Sequence, residues 1–439
     1  GWSLWLDKEA SWQNDRLYLP HEITDLSLLP VNTPTGGWQA LNDNLDAVSV
    51  EVPGTVEEYL TTSDNPRPED FKGVSWWYRK ITIPADQANK RHLIYFESVR
   101  MRAEVYLDGK LVAYDLIGET PFHVDITKEA KPGMEQLLAV RVTNPGGNFH
   151  WQDFDIQKWG EYNIPPARSF SGIIGRVKLE SVNPVFISDI YMQNTPEPTK
   201  VNAIISFTNE TPSSVKQDVE LTVSEKNRPD KVVFRQLLKH VSFPPGKREM
   251  MIPVSVSDAK LWDLDTPELY TCNIQIKKGK NTLDRDKKNF GFRWFSAEGV
   301  GTDAVLRLNG RRVMLRSAIS WGYFPVTGLI ATPEMAEKQV LTAKKLGLNM
   351  LNFHRCIGSP VVLEKTDELG LLYYEEPGSF HSANHDPFIR TIVNEKLKRM
   401  VHRDRSHPSL IIFNLINEFG GPLSRDKELV AKRMNDMRE

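Results

Sequence analysis

The sequence predicts a multidomain β and α/β protein with three parts: a jelly-roll β-sandwich over residues 1–182, an immunoglobulin-like β-sandwich over 183–296, and the first half of a (β/α)8 TIM barrel over 297–439. Up to Phe295, short segments rich in β-branched and aromatic residues are separated by turn residues, which is typical of β-sandwiches. After Ser296, strand and helix patterns alternate at parallel-sheet spacing. At 439 residues the chain is also too long for one ordinary core.

Composition excludes several classes of partner. The formal net charge of -2 and the pI of about 6.6 do not favour nucleic acid or anionic membrane, so we expect neutral or small partners. No apolar run is long enough to span a bilayer, and Gly1–Trp12 lacks a signal-peptide pattern; an opening Gly without Met indicates a processed or engineered start. Cys272 and Cys356 lie far apart, so neither a disulfide framework nor a metal cluster is implied, and the compartment stays open.

The first part reads as all-β. Strands are predicted at Trp76–Ile83, His92–Phe96, Glu104–Leu107 and Leu137–Val142. Asp108-Gly109 predicts a hairpin, because both residue types tolerate positive φ. Between Asn144 and Gly175 the strand pattern stops in a long loop that contains Trp151, Trp159 and Tyr162. Aromatic faces in such a loop suit sugar rings, but aromatic side chains that pin the loop to its own sheet explain the pattern equally well.

The second part shows the strand spacing of an immunoglobulin-like sandwich. Strands are predicted at Val201–Phe207, Val219–Val223, Tyr270–Ile276 and Asn289–Trp294. The polar stretch Glu225–Lys231 is interpreted as a solvated hairpin.

The third part alternates strands and helices. In order, we predict strand Arg312–Ile319, a helix from Thr332 (N-cap) through Leu346, strand Asn349–Phe353, helix Pro360–Leu369, strand Leu371–Tyr374, helix Pro387–Arg405 and strand Leu410–Ile416. Gly347 and Gly370 end the first two helices. Four parallel strands at this spacing are half of a (β/α) barrel.

A polar set follows these strands at their carboxyl ends, where a barrel carries its chemistry. The apolar strand Leu410–Ile416, broken only by Asn414, leads into Asn417-Glu418, and Glu418 is the first candidate for a catalytic residue. The alternative is that Glu418 only caps the following helix. The other members are Trp321, His354, Arg355, Glu375 and Glu376.

Several stretches occur in the order of a known family. They are Gly73–Arg79, Gly172–Val177, Leu261–Tyr270, Phe290–Arg293, Leu308–Gly310, Leu315–Arg316 and, most specific, His402–Ser409 leading to Asn417-Glu418. Together they resemble glycoside hydrolase family 2, the β-galactosidases, β-glucuronidases and β-mannosidases, over nearly the whole chain. The resemblance makes the first part a sugar-binding-type domain and implies retention of configuration.

The resemblance also implies roles for two residues. Glu418 falls on the general acid/base, and Asn417 falls on the amide that holds the hydroxyl next to the anomeric carbon. A retaining glycosidase needs one protonated carboxyl and an ionised one about 5 to 5.5 Å away. A desolvated carboxyl beside a like charge has the raised pKa that this acid requires.

The second carboxylate has no match in these residues. In the family the nucleophile is a Glu near the end of a late barrel strand, and neither Glu375 nor Glu376 matches it. We therefore expect this chain to be a fragment of a longer enzyme, or to receive its remaining strands from elsewhere, and not to turn over alone. Unpaired strand edges would make it prone to aggregation.

Departures from the family bear on substrate and metal. After Leu315-Arg316, galactosidase-like members carry an Asn and a His, where this chain has Ile319 and Trp321. After the second barrel strand they carry Arg and His, where this chain has Asn352 and His354-Arg355. Phe380 and Ser382 occupy the places of the family's magnesium ligands, so no metal or other cofactor is predicted, although His381 and His385 lie close by.

Four further residues are predicted substrate contacts: His354, Arg355, Trp321 and Glu376. Arg355 could clamp a uronic acid carboxylate, although an Arg at a strand end is equally ordinary as an ion-pair partner. Trp321 could form the floor for a sugar ring, or could simply pack in the barrel.

The sequence thus predicts an exo-acting retaining β-glycosidase that hydrolyses terminal sugars of oligo- or polysaccharides. The alternative is a non-catalytic carbohydrate-binding or scaffold protein that retains the sandwich domains; a family member acting on a different linkage is a further alternative. The expected partner is a carbohydrate, with no nucleic acid and no membrane span, and a homo-oligomer is left open. A periplasmic or secreted location is what polysaccharide-degrading relatives suggest.

Overall fold

The computed structural model describes residues 1–42, 46–60, 71–146, 156–165, 170–324, 327–378, 386–415, 417 and 426–438. Its strands and helices fall into two sandwiches followed by a parallel β/α unit, as the sequence predicts.

The described residues of the first part contain thirteen strands, nine of which form the two sheets of the sandwich. In chain order they are β1 (Trp2–Asp7), β2 (Val48–Val50), β3 (Gly54–Thr55), β4 (Gly73–Thr82), β5 (Arg91–Phe96), β6 (Arg102–Leu107), β7 (Lys110–Asp115), β8 (Phe122–Asp125), β9 (Glu135–Asn144), β10 (Gln157–Trp159), β11 (Tyr162–Ile164), β12 (Gly172–Ile173) and β13 (Val177–Val182). One short helix, α1 (Val56–Leu60), and the 3-10 turns Pro20–Glu22, Leu26–Leu28, Trp38–Leu41 and Ala85–Gln87 connect them.

A six-stranded antiparallel sheet, in the order β2-β1-β4-β9-β6-β7, packs against the sheet β13-β5-β8. Neighbouring residues of β4 face opposite sides of the large sheet. Trp77 lies in the core between the sheets, whereas Trp76 packs beneath residues 8–42, where Trp38 lies 5.6 Å from it between ring centroids. The N-terminal segment therefore covers the outer face of this sheet.

The sequence predictions for this part are largely confirmed. The four predicted strands are observed with small shifts of their ends, and Asp108 and Gly109 both adopt positive φ in the hairpin between β6 and β7. The predicted strand-free stretch between Asn144 and Gly175 is wrong in part, because it contains the hairpin β10–β11 and the short strand β12, which pairs with β3.

The second sandwich has seven strands in sheets of three and four. They are β14 (Val185–Asn194), β15 (Lys200–Asn209), β16 (Val215–Glu225), β17 (Arg228–Phe243), β18 (Gly246–Ser255), β19 (Tyr270–Lys278) and β20 (Asn281–Phe290), in the orders β14-β15-β18 and β17-β16-β19-β20. Alternate apolar residues of both sheets form one core.

The predicted strand Asn289–Trp294 is wrong in extent, because β20 ends at Phe290. A Cβ on Gly291 would lie 2.7 Å from Cβ of Trp262 and 2.9 Å from Cβ of Pro408. The chain here passes between two bulky residues, so it leaves the sheet.

The third part starts with a small antiparallel sheet and continues as parallel β/α units. Its elements are β21 (Phe295–Glu298), β22 (Val305–Leu308), β23 (Arg311–Arg312), β24 (Ser317–Ser320), α2 (Pro333–Lys345), β25 (Met350–Phe353), α3 (Pro360–Leu369), β26 (Leu372–Glu375), α4 (Pro387–Asp404), β27 (Leu410–Phe413) and α5 (Lys427–Arg438). The strands β24-β25-β26-β27 form one parallel sheet in sequence order, which confirms the partial barrel.

Helix starts were predicted well, because their causes are local. Thr332 Oγ1 accepts from the Met335 N–H at 3.2 Å, and Pro333 occupies the first helical position, as predicted. The predicted strand Arg312–Ile319 is wrong in extent: β23 ends at Arg312 in the antiparallel sheet, and β24 begins only at Ser317 in the parallel one. β27 ends at Phe413, before its predicted end at Ile416, which lies outside the described residues.

The domain boundaries at 182/183 and 296/297 stay predictions. The sheets change between β13 and β14, and β21 runs across the second predicted boundary.

Candidate active site

The carboxyl ends of the four parallel strands meet at one edge of the sheet, because the strands pair in parallel register. Trp321 follows β24, His354 and Arg355 follow β25, Glu376 follows β26, and Asn417 lies beyond β27. All five are predicted site residues.

The aromatic and basic members are in contact. The rings of Trp321 and His354 meet edge to face, with 4.6 Å between their centroids, and the Arg355 guanidinium lies 5.9 Å from the Trp321 ring centroid. The three side chains form one wall of the candidate site, and a half-buried indole beside a guanidinium is able to face a sugar ring.

Asn417 joins this wall through two hydrogen bonds. Nε of Arg355 donates to Oδ1 of Asn417 at 3.0 Å. Nδ2 of Asn417 lies 3.3 Å from Nδ1 of His354 and donates to it when that ring nitrogen carries no proton. Residues separated by more than sixty positions are thereby brought together.

Glu376 lies beneath this wall and is fully buried. Its Oε1 accepts from the Arg355 backbone N–H at 2.7 Å and its Oε2 from Nδ2 of Asn414 at 3.1 Å; Nδ1 of His354 lies 3.7 Å away. Burial raises the pKa of the Glu376 carboxyl, against the hydrogen bonds it accepts. The predicted contact between Glu376 and a substrate stays a prediction.

Glu375 points to the other side of the sheet. It is fully buried too, and burial together with the Asp404 carboxylate raises its pKa well above the usual range, although the Arg403 guanidinium lies 3.3 Å away. The sequence marked Glu375 as a member of the rim, but Arg403 and Asn414 were given no role. The apolar run broken only by Asn414 was the available signal for that residue.

The segment leading to the candidate catalytic residue is anchored at its start. Asp367 on α3 accepts from the backbone N–H of Ser409 at 3.0 Å, from its hydroxyl at 2.6 Å, and lies 2.6 Å from Nδ1 of His407. Arg293 donates to the carbonyls of Pro408 and Leu410 at 3.1 and 2.8 Å. The His-Pro-Ser sequence therefore fixes where β27 begins.

Several predicted residues lie outside the described residues. They are the candidate acid/base Glu418, the loop residue Trp151, and the set Phe380, His381, Ser382 and His385. Within the described ranges, no three His, Cys, Asp or Glu side chains form a group that could hold a metal ion. None of the described helices combines the length and apolar character needed to cross a bilayer.

Trp159 and Tyr162, the two predicted aromatic residues of the 144–175 loop that the structure describes, serve packing. Trp159 is buried, its ring meets Trp12 edge to face at 5.5 Å, and its Nε1 donates to the Trp12 carbonyl at 2.9 Å. Tyr162 packs against Phe388 of α4, with 4.9 Å between ring centroids. The Trp159 contacts support the interpretation that the loop is pinned to its own domain, whereas Tyr162 packs against the β/α unit instead.

Family models match two stretches of the chain. Residues 43–165 match the model described as "Glycosyl hydrolases family 2, sugar binding domain", and residues 185–293 match "Glycosyl hydrolases family 2". Together they span more than half of the 439 residues.

Similar proteins carry related names. A putative β-glucuronidase of Formosa agariphila is 26% identical over 93% of the chain and 45% of its own length, and a β-galactosidase of Thermoanaerobacter pseudethanolicus is 28% identical over 84% and 48%. The chain thus spans about half the length of these relatives. Two solved structures share the fold. One is a putative β-galactosidase from Bacteroides fragilis, with a TM-score of 0.76 and 17% identity over all of this chain and 61% of that one. The other is a β-glucuronidase from Bacteroides uniformis, with a TM-score of 0.72 and 21% identity over 90% of this chain and 47% of that one.

Proposed function

Because the chain belongs to glycosyl hydrolase family 2, we propose that the protein is an exo-acting, retaining β-glycosidase that hydrolyses terminal sugars of oligo- or polysaccharides. The observation that carries the proposal is the contact between Asn417 and Arg355, together with Trp321 and His354, at the carboxyl edge of the parallel sheet. The names of its relatives also support a glycosidase.

In this proposal Asn417 orients a sugar hydroxyl and Glu418 works as general acid/base. The Asn417 amide is hydrogen-bonded through its oxygen to Arg355 and through its nitrogen to His354. Its orientation is therefore fixed before a substrate arrives. A fixed amide favours the transition state if its hydrogen bond strengthens as positive charge develops on the sugar. Glu418 then protonates the departing oxygen and later deprotonates water.

A retaining mechanism also needs a nucleophilic carboxylate about 5 to 5.5 Å from the acid. No residue of this sequence matches the family's nucleophile, so we expect the 439 residues alone to be inactive. Assays therefore use the protein encoded by the full reading frame.

Arg355 has two candidate roles, and they predict different substrate classes. Its Nε is engaged by Asn417, which supports a positioning role, whereas contact of the guanidinium with a uronic acid carboxylate is the alternative. Arg355→Lys separates them: a carboxylate clamp predicts a larger loss of kcat/KM on a glucuronide than on the matching glucoside, and a positioning role predicts equal losses.

The test is release of nitrophenol from aryl β-glycosides by three proteins: the full-length protein, its Glu418→Gln variant and the 439-residue chain. The panel is the galactoside, glucuronide, mannoside, glucoside and galacturonide, with arabinosides added. Cleavage of one member by the full-length protein, with no turnover by the 439-residue chain and a rate in Glu418→Gln that falls further as the leaving group becomes poorer, supports the proposal. No cleavage by any form overturns it in favour of a non-catalytic carbohydrate-binding or scaffold protein. A periplasmic or secreted location is also proposed, and cell fractionation tests it.

A further inference from the structure

Two consecutive carboxylates hold the two ends of the loop that follows β25. Oε1 of Glu376 accepts a hydrogen bond from the backbone N–H of Arg355 at 2.7 Å. Oε1 of Glu375 accepts one from the backbone N–H of Gly358 at 3.0 Å. Both carboxylates are fully buried, so bulk water does not compete for these bonds.

The two side chains reach the loop from opposite sides of the sheet, because consecutive residues of an extended chain point to opposite faces. Glu375 lies on the side of the helices, where Nη2 of Arg403 on α4 is 3.3 Å from its Oε1. Glu376 lies on the side of Asn414, which donates to its Oε2 at 3.1 Å. The loop is thus tied to both layers of the β/α unit.

Gly358 is held at both of its backbone polar groups. While Glu375 accepts from its N–H, its carbonyl accepts from Nη2 of Arg403 at 2.7 Å. A Cβ at this position would lie 2.7 Å from the Tyr373 hydroxyl. Only glycine brings the loop backbone this close to the strand below it.

The other end of the loop has an unusual backbone. Arg355 has a φ of 58°, a left-handed conformation that costs energy for a residue with a side chain and persists where surrounding contacts fix it. The hydrogen bond from its N–H to Glu376 is such a contact. This bond therefore lies where the chain turns out of the strand.

We propose that Glu375 and Glu376 are paired positioning residues that clamp the loop Arg355–Gly358 and so orient His354 and Arg355 at the candidate site. Glu375 takes this role from outside the site, through Gly358 and Arg403. The catalytic consequence of the clamp rests on the proposed function, whereas the clamp itself does not.

The test measures amide hydrogen exchange, resolved to single residues, in the full-length protein. Glu375→Asp keeps the carboxyl group but shortens the side chain by one carbon, about 1.5 Å, which takes the carboxyl out of hydrogen-bond reach of Gly358. We expect the Gly358 amide to exchange about tenfold faster in this variant, the equivalent of about one ordinary hydrogen bond. Glu375→Gln keeps an acceptor of the same length and should stay within about threefold of the unchanged protein.

Two further variants make the result specific. Glu376→Asp should accelerate the Arg355 amide and leave Gly358 nearly unchanged. Glu337→Asp, the same change at an exposed residue of α2, should accelerate neither. Unchanged exchange at Gly358 in Glu375→Asp, or equal acceleration of all amides in the parallel sheet, would overturn the clamp.

Kinetics then test its consequence. On whichever aryl glycoside the full-length protein cleaves, Glu375→Asp should raise KM and lower kcat, and Glu375→Gln should restore both. If no glycoside is cleaved, the proposed function fails while the exchange data still decide the clamp. If a glycoside is cleaved and Gly358 exchange is unaffected by Glu375→Asp, the clamp fails and the proposed function stands.

Discussion

Asp367 is expected to be the residue on which the start of β27 depends most. It is buried on α3, where one carboxylate oxygen accepts from both the N–H and the hydroxyl of Ser409 and the other lies against His407. Ser409 is itself fully buried, so its N–H has no access to water if the carboxylate is removed.

The cost of substitution follows from these three contacts. Asp367→Ala removes both hydrogen bonds from Ser409 and the contact with His407, and it leaves the Ser409 N–H unsatisfied, which should cost about 3 to 5 kcal/mol. Asp367→Asn keeps an oxygen for Ser409 and loses mainly the charge facing His407, at a cost of about 1 to 2 kcal/mol. The ranking of the two variants, with Ala more destabilising than Asn, is therefore as informative as the size of either loss of stability.

The Asn variant also has a predicted pH dependence. Burial of the His407 ring opposes protonation, but the Asp367 and Asp404 carboxylates outweigh it and raise the pKa of His407 above its ordinary value. A raised pKa in the folded state means that the ion pair stabilises fully at pH below the unfolded pKa, near 6.5, and that this stabilisation is lost as pH rises through the folded pKa. Asp367→Asn should therefore cost more at pH 5 than at pH 9.

The assay is amide hydrogen exchange of residues 405–415 at pH 5 and pH 9, corrected for the intrinsic exchange rate. Glu364→Gln serves as control, because Glu364 is exposed on the same helix. Equal losses for the Ala and Asn variants, or a larger loss for Asn at pH 9, would contradict the assigned contacts of Asp367.

Three further changes are expected to have measurable effects. Burial raises the pKa of the Asp284 carboxyl to about 6, so its negative charge destabilises the fold above that pH. Asp284→Asn keeps an acceptor for the Ile187 N–H, which lies 2.7 Å from the carboxylate. This variant should raise the free energy of unfolding in urea by about 1 kcal/mol at pH 8 and leave it unchanged at pH 4. Arg399 on α4 forms a 2.7 Å ion pair with the buried Asp115 of the first sandwich. Arg399→Met removes this ion pair and should lower the free energy of unfolding, followed by thermal unfolding, by about 3 kcal/mol, whereas Arg399→Lys should lower it clearly less. In the full-length protein, Trp321→Ala should raise KM for the cleaved glycoside about tenfold and change kcat little if the indole is a sugar platform; an unchanged KM would assign it to packing alone.

Features that depend on neighbours in sequence were predicted accurately. The cap of α2 needs only Thr332 and the residues that follow it, and the hairpin at Asp108-Gly109 needs only two residues that accept positive φ. The same local logic predicted α3, observed over Pro360–Leu369, and Gly370 as the residue that stops it; Gly370 adopts a left-handed conformation. Strand ends were less accurate where a distant residue decides them, as Pro408 does beside Gly291.

The site was predicted as a set of residues but not as a geometry. Position at the carboxyl ends of parallel strands was enough to collect Trp321, His354, Arg355 and Asn417, which the structure brings into contact. The alternation of side chains along a strand predicts that Glu375 and Glu376 point to opposite faces of the sheet. Residue spacing does not predict which residues of other elements they contact. The aromatic loop residues show the same limit, because the sequence could not tell whether Trp159 faces its own domain or solvent.

The proposed function is tested most directly by the dependence of the Glu418→Gln defect on the leaving group, measured in the full-length protein with the glycoside that it cleaves. A general acid matters most when the departing oxygen is a poor leaving group. We predict that kcat/KM falls only modestly on the 4-nitrophenyl glycoside and by a further factor of about 100 or more on the corresponding methyl glycoside. Equal losses on both substrates would contradict the assignment of Glu418 as the acid and, with it, the proposed mechanism.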